Sequence, residues 1–161
     1  PAAQPATTYR ALRQPRLTEL MLQLRKASSC LYFERRTEGE QLKAAMKTPR
    51  IVLGLLADQN AGDHGLWLPV FGRETSVSPA PAVFAQRYRC RVFTSACFRT
   101  SPGRWTIELG EEIPVRENGK RRSTEAITRD IIAAQEETIL RDPANWFWVH
   151  NRWKPRPQAH E

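Results

Sequence analysis

Ile51-Val52-Leu53-Gly54-Leu55-Leu56-Ala57 is the longest apolar run in the chain, and the polar Asp58-Gln59-Asn60 follows it directly. A continuous apolar run of this length suits a β-strand buried on both faces, as in a parallel sheet covered by helices. Asp58 to Gly65 reads as a loop at the strand's carboxyl end, the edge of an open α/β sheet where ligands bind. Toward the amino terminus, strand and helix patterns alternate. Residues 7–12 read as a short strand. Pro15 precedes an amphipathic helix that places Leu17, Leu20, Met21 and Leu24 on one face. Cys30-Leu31-Tyr32-Phe33 is strand-like. Residues 39–47 form a second helix with Leu42, Ala45 and Met46 inward, and Pro49 stops it. The β-α-β-α-β order predicts an α/β fold with a mostly parallel sheet flanked by helices.

The carboxyl-terminal half is more mixed. Residues 66–71 read as extended. Ser78-Pro79-Ala80 opens a helix that runs to about Tyr88, with Ser at the cap and Pro in the first turn. Residues 91–98 and 104–109 read as strands joined by a turn at Ser101-Pro102-Gly103. A polar connection with a turn at Asn118-Gly119 leads to a long helix. That helix starts at Ser123-Thr124 and carries Ile127, Ile131, Ala134 and Ile139 as its stripe. Asp142-Pro143 is expected to cap a final short helix carrying Asn145-Trp146-Phe147-Trp148-Val149-His150-Asn151-Arg152-Trp153-Lys154. This block holds three of the five tryptophans. Residues 156–161 are expected to be a frayed tail after a single domain over 1–155.

Apolar residues at 40% fit a globular chain of 161 residues with its own core. No apolar run approaches the roughly 18 residues needed to span a bilayer. The start, Pro1-Ala2-Ala3-Gln4-Pro5-Ala6, has no charged-then-apolar leader pattern and no initiator Met, which suggests a fragment or processed product. A net charge of +8 favours an acidic partner: nucleic acid, an anionic membrane surface, a phosphorylated substrate or an acidic protein. The three cysteines, Cys30, Cys90 and Cys97, form no C-x-x-C and read as buried reduced thiols.

Asp58-Gln59 is either a turn-capping pair or a carboxylate and amide aimed into a cleft. Arg10 and the pair Arg35-Arg36 end strands expected to neighbour the central one. There they are either solvated cations or guanidinium groups gathered for bidentate phosphate contact. His150 has no nearby carboxylate in sequence to orient it and reads as a structural hydrogen-bonding group. Trp146, Trp148 and Trp153 read as core or membrane-interface residues. There is no phosphate-binding Gly-rich loop, no serine nucleophile elbow and no clustered metal-ligand set.

Four segments resemble the bacterial lipid A biosynthesis (lauroyl/myristoyl) acyltransferase family. They are Tyr9-Arg10-Ala11-Leu12-Arg13-Gln14-Pro15, Leu55-Leu56-Ala57-Asp58-Gln59-Asn60-Ala61-Gly62, Val70-Phe71-Gly72-Arg73 and Trp148-Val149-His150-Asn151-Arg152-Trp153-Lys154. The resemblance implies a glycerolipid-acyltransferase-like α/β fold, here incomplete at its amino terminus. It implies acyl transfer from acyl carrier protein, as co-substrate and without a cofactor, to a hydroxyl of a lipid A precursor or related glycolipid. It implies work at the cytoplasmic face of the bacterial inner membrane. In that family a His-x4-Asp/Glu dyad takes the hydroxyl proton. Here the fifth residue after His64 is Pro69, and after His150 it is Pro155, so neither supplies the dyad. The dyad is expected upstream of Pro1, and this chain alone is expected to be inactive. By resemblance, Arg10 and Arg35 would face the phosphorylated head group or the developing oxyanion. Asp58 and Gln59 would line the same cleft. The incomplete sheet implies a companion amino-terminal half or self-association.

Two other classes fit parts of the sequence. A protein without the dyad could serve as a membrane-surface lipid-binding or scaffold protein. The basic charge with Trp and Tyr could also suit a nucleic-acid-binding module, but the cations are spread along the chain and no nucleic-acid-binding signature accompanies them, so nucleic acid is not an expected partner.

Overall fold

The computed structural model describes residues 3–156. Of the expected frayed tail, residues 157–161 lie outside the described residues. The chain divides into two compact units, Pro1–Leu56 and Ala57–Glu161.

The first unit is a small α/β layer. Strand β1 (Gln4–Tyr9) leads through helix α1 (Pro15–Arg25) to β2 (Leu31–Glu34), then through α2 (Gly39–Ala45) to β3 (Ile51–Gly54). The strands form one parallel sheet in the order β2-β1-β3. The parallel α/β reading therefore holds here, with one correction. Only the first four residues of the apolar run, Ile51–Gly54, form a strand, which lies at the edge, and β1 is the centre. An edge strand has one neighbour and less cover, so its residues alternate between half-buried and exposed, and Val52 is open to solvent. Helix α2 buries Leu42 and Met46 as expected. Helix α1 forms where the sequence places it, with Pro in its first turn and Arg25 in its last. However, none of its residues is buried, and Leu17, Leu20, Met21 and Leu24 all face solvent.

The second unit is built from antiparallel pairs on one long helix. Strands β4 (Leu66–Val70) and β5 (Arg73–Val77) form a hairpin. Helix α3 (Ala80–Tyr88) follows, capped by Pro79 rather than Ser78. The Ser78 hydroxyl still accepts the Ala80 N–H at 3.3 Å. Strands β6 (Val92–Ser101) and β7 (Arg104–Ile113) form a second, longer hairpin. Strands β8 (Arg116–Glu117) and β9 (Lys120–Arg121) turn at Asn118-Gly119, both at positive φ. Helix α4 (Thr124–Arg141) then runs under both larger hairpins. The Ser123 hydroxyl caps it by accepting the Ala126 N–H at 3.0 Å.

Helix α4 serves two clusters. One face packs Ile127 and Ile131 with Ala82, Ala85, Val92 and Ile113. Ile132, one residue further round, packs with Leu68, Val70 and Val77, backed by Phe71 and Trp153. The Trp block is not helical. A short 3-10 turn spans Pro143–Asn145, and Trp146 leaves it in extended conformation at φ −95° and ψ 147°. Asp142-Pro143 had suggested a helix start, but three indole rings and a buried Arg152 need partners on different elements, which one helix face cannot supply. Cys97 is exposed and Cys30 and Cys90 are half-buried, so the expectation of three buried thiols is corrected.

Candidate functional site

In a parallel sheet all strands end at the same edge, and the first unit uses that edge to gather cations. Arg10 follows the last residue of β1, and Arg35 and Arg36 follow the last residue of β2. The Arg35 N–H donates to the Tyr9 carbonyl at 3.0 Å, which holds the two strand ends level. All three arginines are exposed. Arg10 and Arg35 thus occupy neighbouring backbone positions at the ends of adjacent strands.

What holds this edge is Glu34, which the sequence did not single out. It is buried at the end of β2. Its carboxylate accepts the N–H groups of Arg36 at 2.6 Å, Thr37 at 2.9 Å and Ala11 at 3.3 Å, and the Thr37 hydroxyl at 3.1 Å. Burial works to raise its pKa, but these donors outweigh burial and hold it below the usual carboxylate value. One ionised carboxylate therefore ties the loop after β1 to the loop after β2. The signal in sequence was a lone Glu before two arginines, which reads as an ordinary surface charge.

Asp58 and Gln59 belong to the second unit, where the Trp block surrounds the Asp58 loop. The Trp146 Nε1–H donates to Asp58 Oδ2 at 3.1 Å. Gln59 is exposed beside it. The Trp146 ring meets Trp148 edge-on at 4.5 Å between centroids, and lies 6.4 Å from Phe71 and 6.3 Å from Trp153. Phe71 occupies the first position of the two-residue β4–β5 turn, at φ 50°, with Gly72 at φ 72°. A left-handed Phe is unusual in such a turn. Two contacts hold it there: its N–H donates to Glu136 Oε1 at 2.6 Å, and its ring stacks on Trp148. Trp153 closes the other side by donating from Nε1 to the Val70 carbonyl at 3.1 Å, with the Arg73 guanidinium 5.5 Å above its ring. These contacts give a physical reason for Val70-Phe71-Gly72-Arg73 and the terminal Trp segment to occur together.

Asn60 fastens the loop. Its backbone N–H donates to His150 Nε2 at 3.0 Å. Its side-chain Nδ2 donates to the Arg152 carbonyl at 2.9 Å and to Thr75 Oγ1 at 3.3 Å, while its Oδ1 accepts the Gly62 N–H at 2.9 Å. The fully buried Thr75 also donates to the Arg152 carbonyl. His150 accepts this bond at Nε2. It is a structural acceptor, as its lack of a neighbouring carboxylate had suggested.

Arg152 is the unusual member. It is 2% exposed, and its Nε and Nη1 have no hydrogen-bond partner. Burial lowers its pKa from the ordinary guanidinium value, and the Asp58 charge opposes that shift. Asp58 is thus a ligand of one indole and the charge that offsets a buried cation. A shallow groove in this unit lies among Pro69, Gly72, Arg129, Ile132, Ala133 and Glu136, and none of the expected site residues lines it. Among the described residues no cluster of His, Cys, Asp and Glu could hold a metal ion. No helix among them is long and apolar enough to cross a membrane.

A search of curated proteins returned no match for the chain. The sequence profile of the family described as bacterial lipid A biosynthesis acyltransferase matches residues 2–155. That span includes every residue of both groupings, from Arg10 and Arg35 to Asp58, Asn60 and the Trp block. The chain belongs to the bacterial lipid A biosynthesis acyltransferase family.

Proposed function

We propose that this chain is the substrate-holding part of an enzyme that moves a fatty acyl group from acyl carrier protein to a hydroxyl of a lipid A precursor or related phosphoglycolipid. The reaction is attack of the hydroxyl on a thioester at the cytoplasmic face of the bacterial inner membrane. Family membership supports the acyl-transfer chemistry. The observation that carries the residue assignment is the parallel sheet edge where Arg10 and Arg35 stand side by side, held by the ionised Glu34. Two guanidinium groups on a rigid edge suit a phosphorylated head group or the oxyanion of the tetrahedral intermediate. Asp58 and Gln59 are further substrate-binding residues in this reading, Asp58 being fixed by Trp146. The formal charge of +8 suits both an acidic carrier protein and a phosphoglycolipid.

No His-x4-Asp/Glu occurs in these 161 residues. We therefore assign the proton-accepting dyad to residues outside this sequence, on a longer or companion polypeptide, and hold this chain alone to be inactive. Arg10→Ala in the dyad-containing enzyme is expected to lower kcat/KM roughly 20-fold, the loss of one charge-assisted contact of about 1.8 kcal/mol. Steady-state kinetics with a phosphorylated acceptor measure it, and an unchanged kcat/KM would remove Arg10 from the site.

A further inference from the structure

Helix α1 is amphipathic, and its apolar face covers nothing. Leu17, Leu20, Met21 and Leu24 recur at i, i+3, i+4 and i+7 on one side, and Leu24 is 69% exposed. Thr18, Leu22 and Arg25 occupy the half-buried side. A crossover helix between parallel strands ordinarily lays its apolar stripe on the sheet. Here the stripe points away.

The charge around that stripe is one-sided. From residue 10 to residue 26 the chain carries Arg10, Arg13, Arg16, Arg25 and Lys26 against the single carboxylate of Glu19. Five cations and one anion give a local net charge of +4, half of the chain's +8. Arg13 and Arg16 lie at the amino-terminal end of the helix and Arg25 and Lys26 at the carboxyl-terminal end, so cations bracket the exposed leucines at both ends. A short helix with a leucine-rich face and arginine flanks suits the boundary between head groups and acyl chains of an anionic bilayer. Apolar area enters the hydrocarbon edge, and each cation near the surface adds attraction. An uncharged apolar protein surface would match the stripe but not the cations; anionic lipid matches both.

We propose that α1 is a membrane-docking helix, lying in the plane of an anionic lipid surface with Leu17, Leu20, Met21 and Leu24 inserted and Arg13 and Arg16 among the head groups. This deepens the proposed function and rests on it, by naming the surface that meets the membrane. It also gives the arginine-lined sheet edge a physical setting. Arg10 lies five residues before Pro15, the first residue of α1, on the segment that joins the sheet edge to this helix.

Co-sedimentation of the 161-residue chain with vesicles tests it. One set is pure phosphatidylcholine, and the other contains about one third phosphatidylglycerol. Binding to the anionic set is expected, and it should weaken as salt rises. Arg13→Gln with Arg16→Gln should weaken binding about 30-fold, taking roughly a fivefold loss per cation. Leu20→Gln with Leu24→Gln should weaken it roughly tenfold or more on both vesicle types. Because these side chains are exposed, circular dichroism should be unchanged. Wild-type binding that neither double variant alters would overturn the assignment to α1. A wild-type chain that ignores anionic vesicles would overturn lipid docking by this chain altogether. If size-exclusion chromatography shows that Leu20→Gln with Leu24→Gln dissociates a dimer while vesicle binding persists, the face belongs to a second copy. Acyl transfer to a water-soluble acceptor by the dyad-containing enzyme reads the proposed reaction separately, so failure of docking and failure of that reaction remain distinguishable.

Discussion

Asn60→Ala is expected to destabilise the second unit by about 3 kcal/mol and to lower its melting midpoint by roughly 10 °C. The side chain makes three hydrogen bonds: donated to the Arg152 carbonyl and Thr75 Oγ1, and accepted from the Gly62 N–H. Each is worth about 1 kcal/mol net, and the partners left behind are partly buried. Thr75 still reaches the Arg152 carbonyl in the variant, so that acceptor is not orphaned. The loss should show first in the Asp58 loop. Trp146 is tied to Asp58, so its fluorescence should report loosening of the loop before global unfolding. Thermal denaturation followed by both tryptophan emission and circular dichroism checks this. A midpoint within 2 °C or so of wild type would mean that the Asn60 contacts do not hold the loop.

Arg152→Met is expected to do the reverse for stability. The guanidinium is buried with Nε and Nη1 unpartnered. A desolvated donor left unmade costs about 1–3 kcal/mol, and the opposing Asp58 is only part-buried and keeps its bond from Trp146, so removing the cation does not strand a fully buried carboxylate. Methionine fills a similar path and adapts to irregular space. The backbone carbonyl of residue 152, which Asn60 and Thr75 use, is retained. A gain of about 2 kcal/mol in denaturant unfolding is therefore expected. Asp58 then loses the cation it faces, so the dyad-containing enzyme should lose acyl transfer while becoming more stable. That opposition separates a functional role for Arg152 from a structural one. A variant that is less stable by 2 kcal/mol or so would show that the buried charge is satisfied in a way the hydrogen bonds do not reveal.

The first unit was the more legible half of the fold. Helix α2 could be placed from Leu42 and Met46, and β2 and β3 from their apolar runs, because helix and strand periods differ and the segments are short and punctuated by Pro15 and Pro49, whereas β1 forms over Gln4–Tyr9, three residues before the expected 7–12. The rank of β3 was not legible. An apolar run says that a strand can be buried, while strand order decides whether it is, and order is set by crossovers that no local pattern encodes. Strand β5 was missed because Arg73-Glu74-Thr75-Ser76-Val77 is polar, although Thr75 and Ser76 are fully buried through hydrogen bonds. The turn before it was hidden for a related reason. Phe71-Gly72 adopts a conformation usually signalled by Asn-Gly, and a ring contact and one Glu136 bond hold it there.

The candidate site was legible in pieces. Arg10 and Arg35 could be paired from topology, because parallel strands share a carboxyl edge. Glu34, Asn60 and Thr75 could not, since each relies on a backbone group distant in sequence: Ala11 for Glu34, and Arg152 for Asn60 and Thr75. The tryptophan block announced itself by composition, but its extended path did not. Its partners, Asp58, Val70 and Phe71, lie 75 to 90 residues away, and the helical reading considered only its neighbours.

In the proposed reaction these residues hold substrate for acyl transfer, while the proton-accepting dyad is supplied from outside this sequence. Mass-spectrometric detection of acyl transfer from acyl carrier protein to a phosphorylated lipid A precursor tests it directly. The 161-residue chain is assayed alone and beside the polypeptide that carries a His-x4-Asp/Glu. Transfer only when the dyad is present is the predicted result. Turnover by the 161-residue chain alone would contradict it.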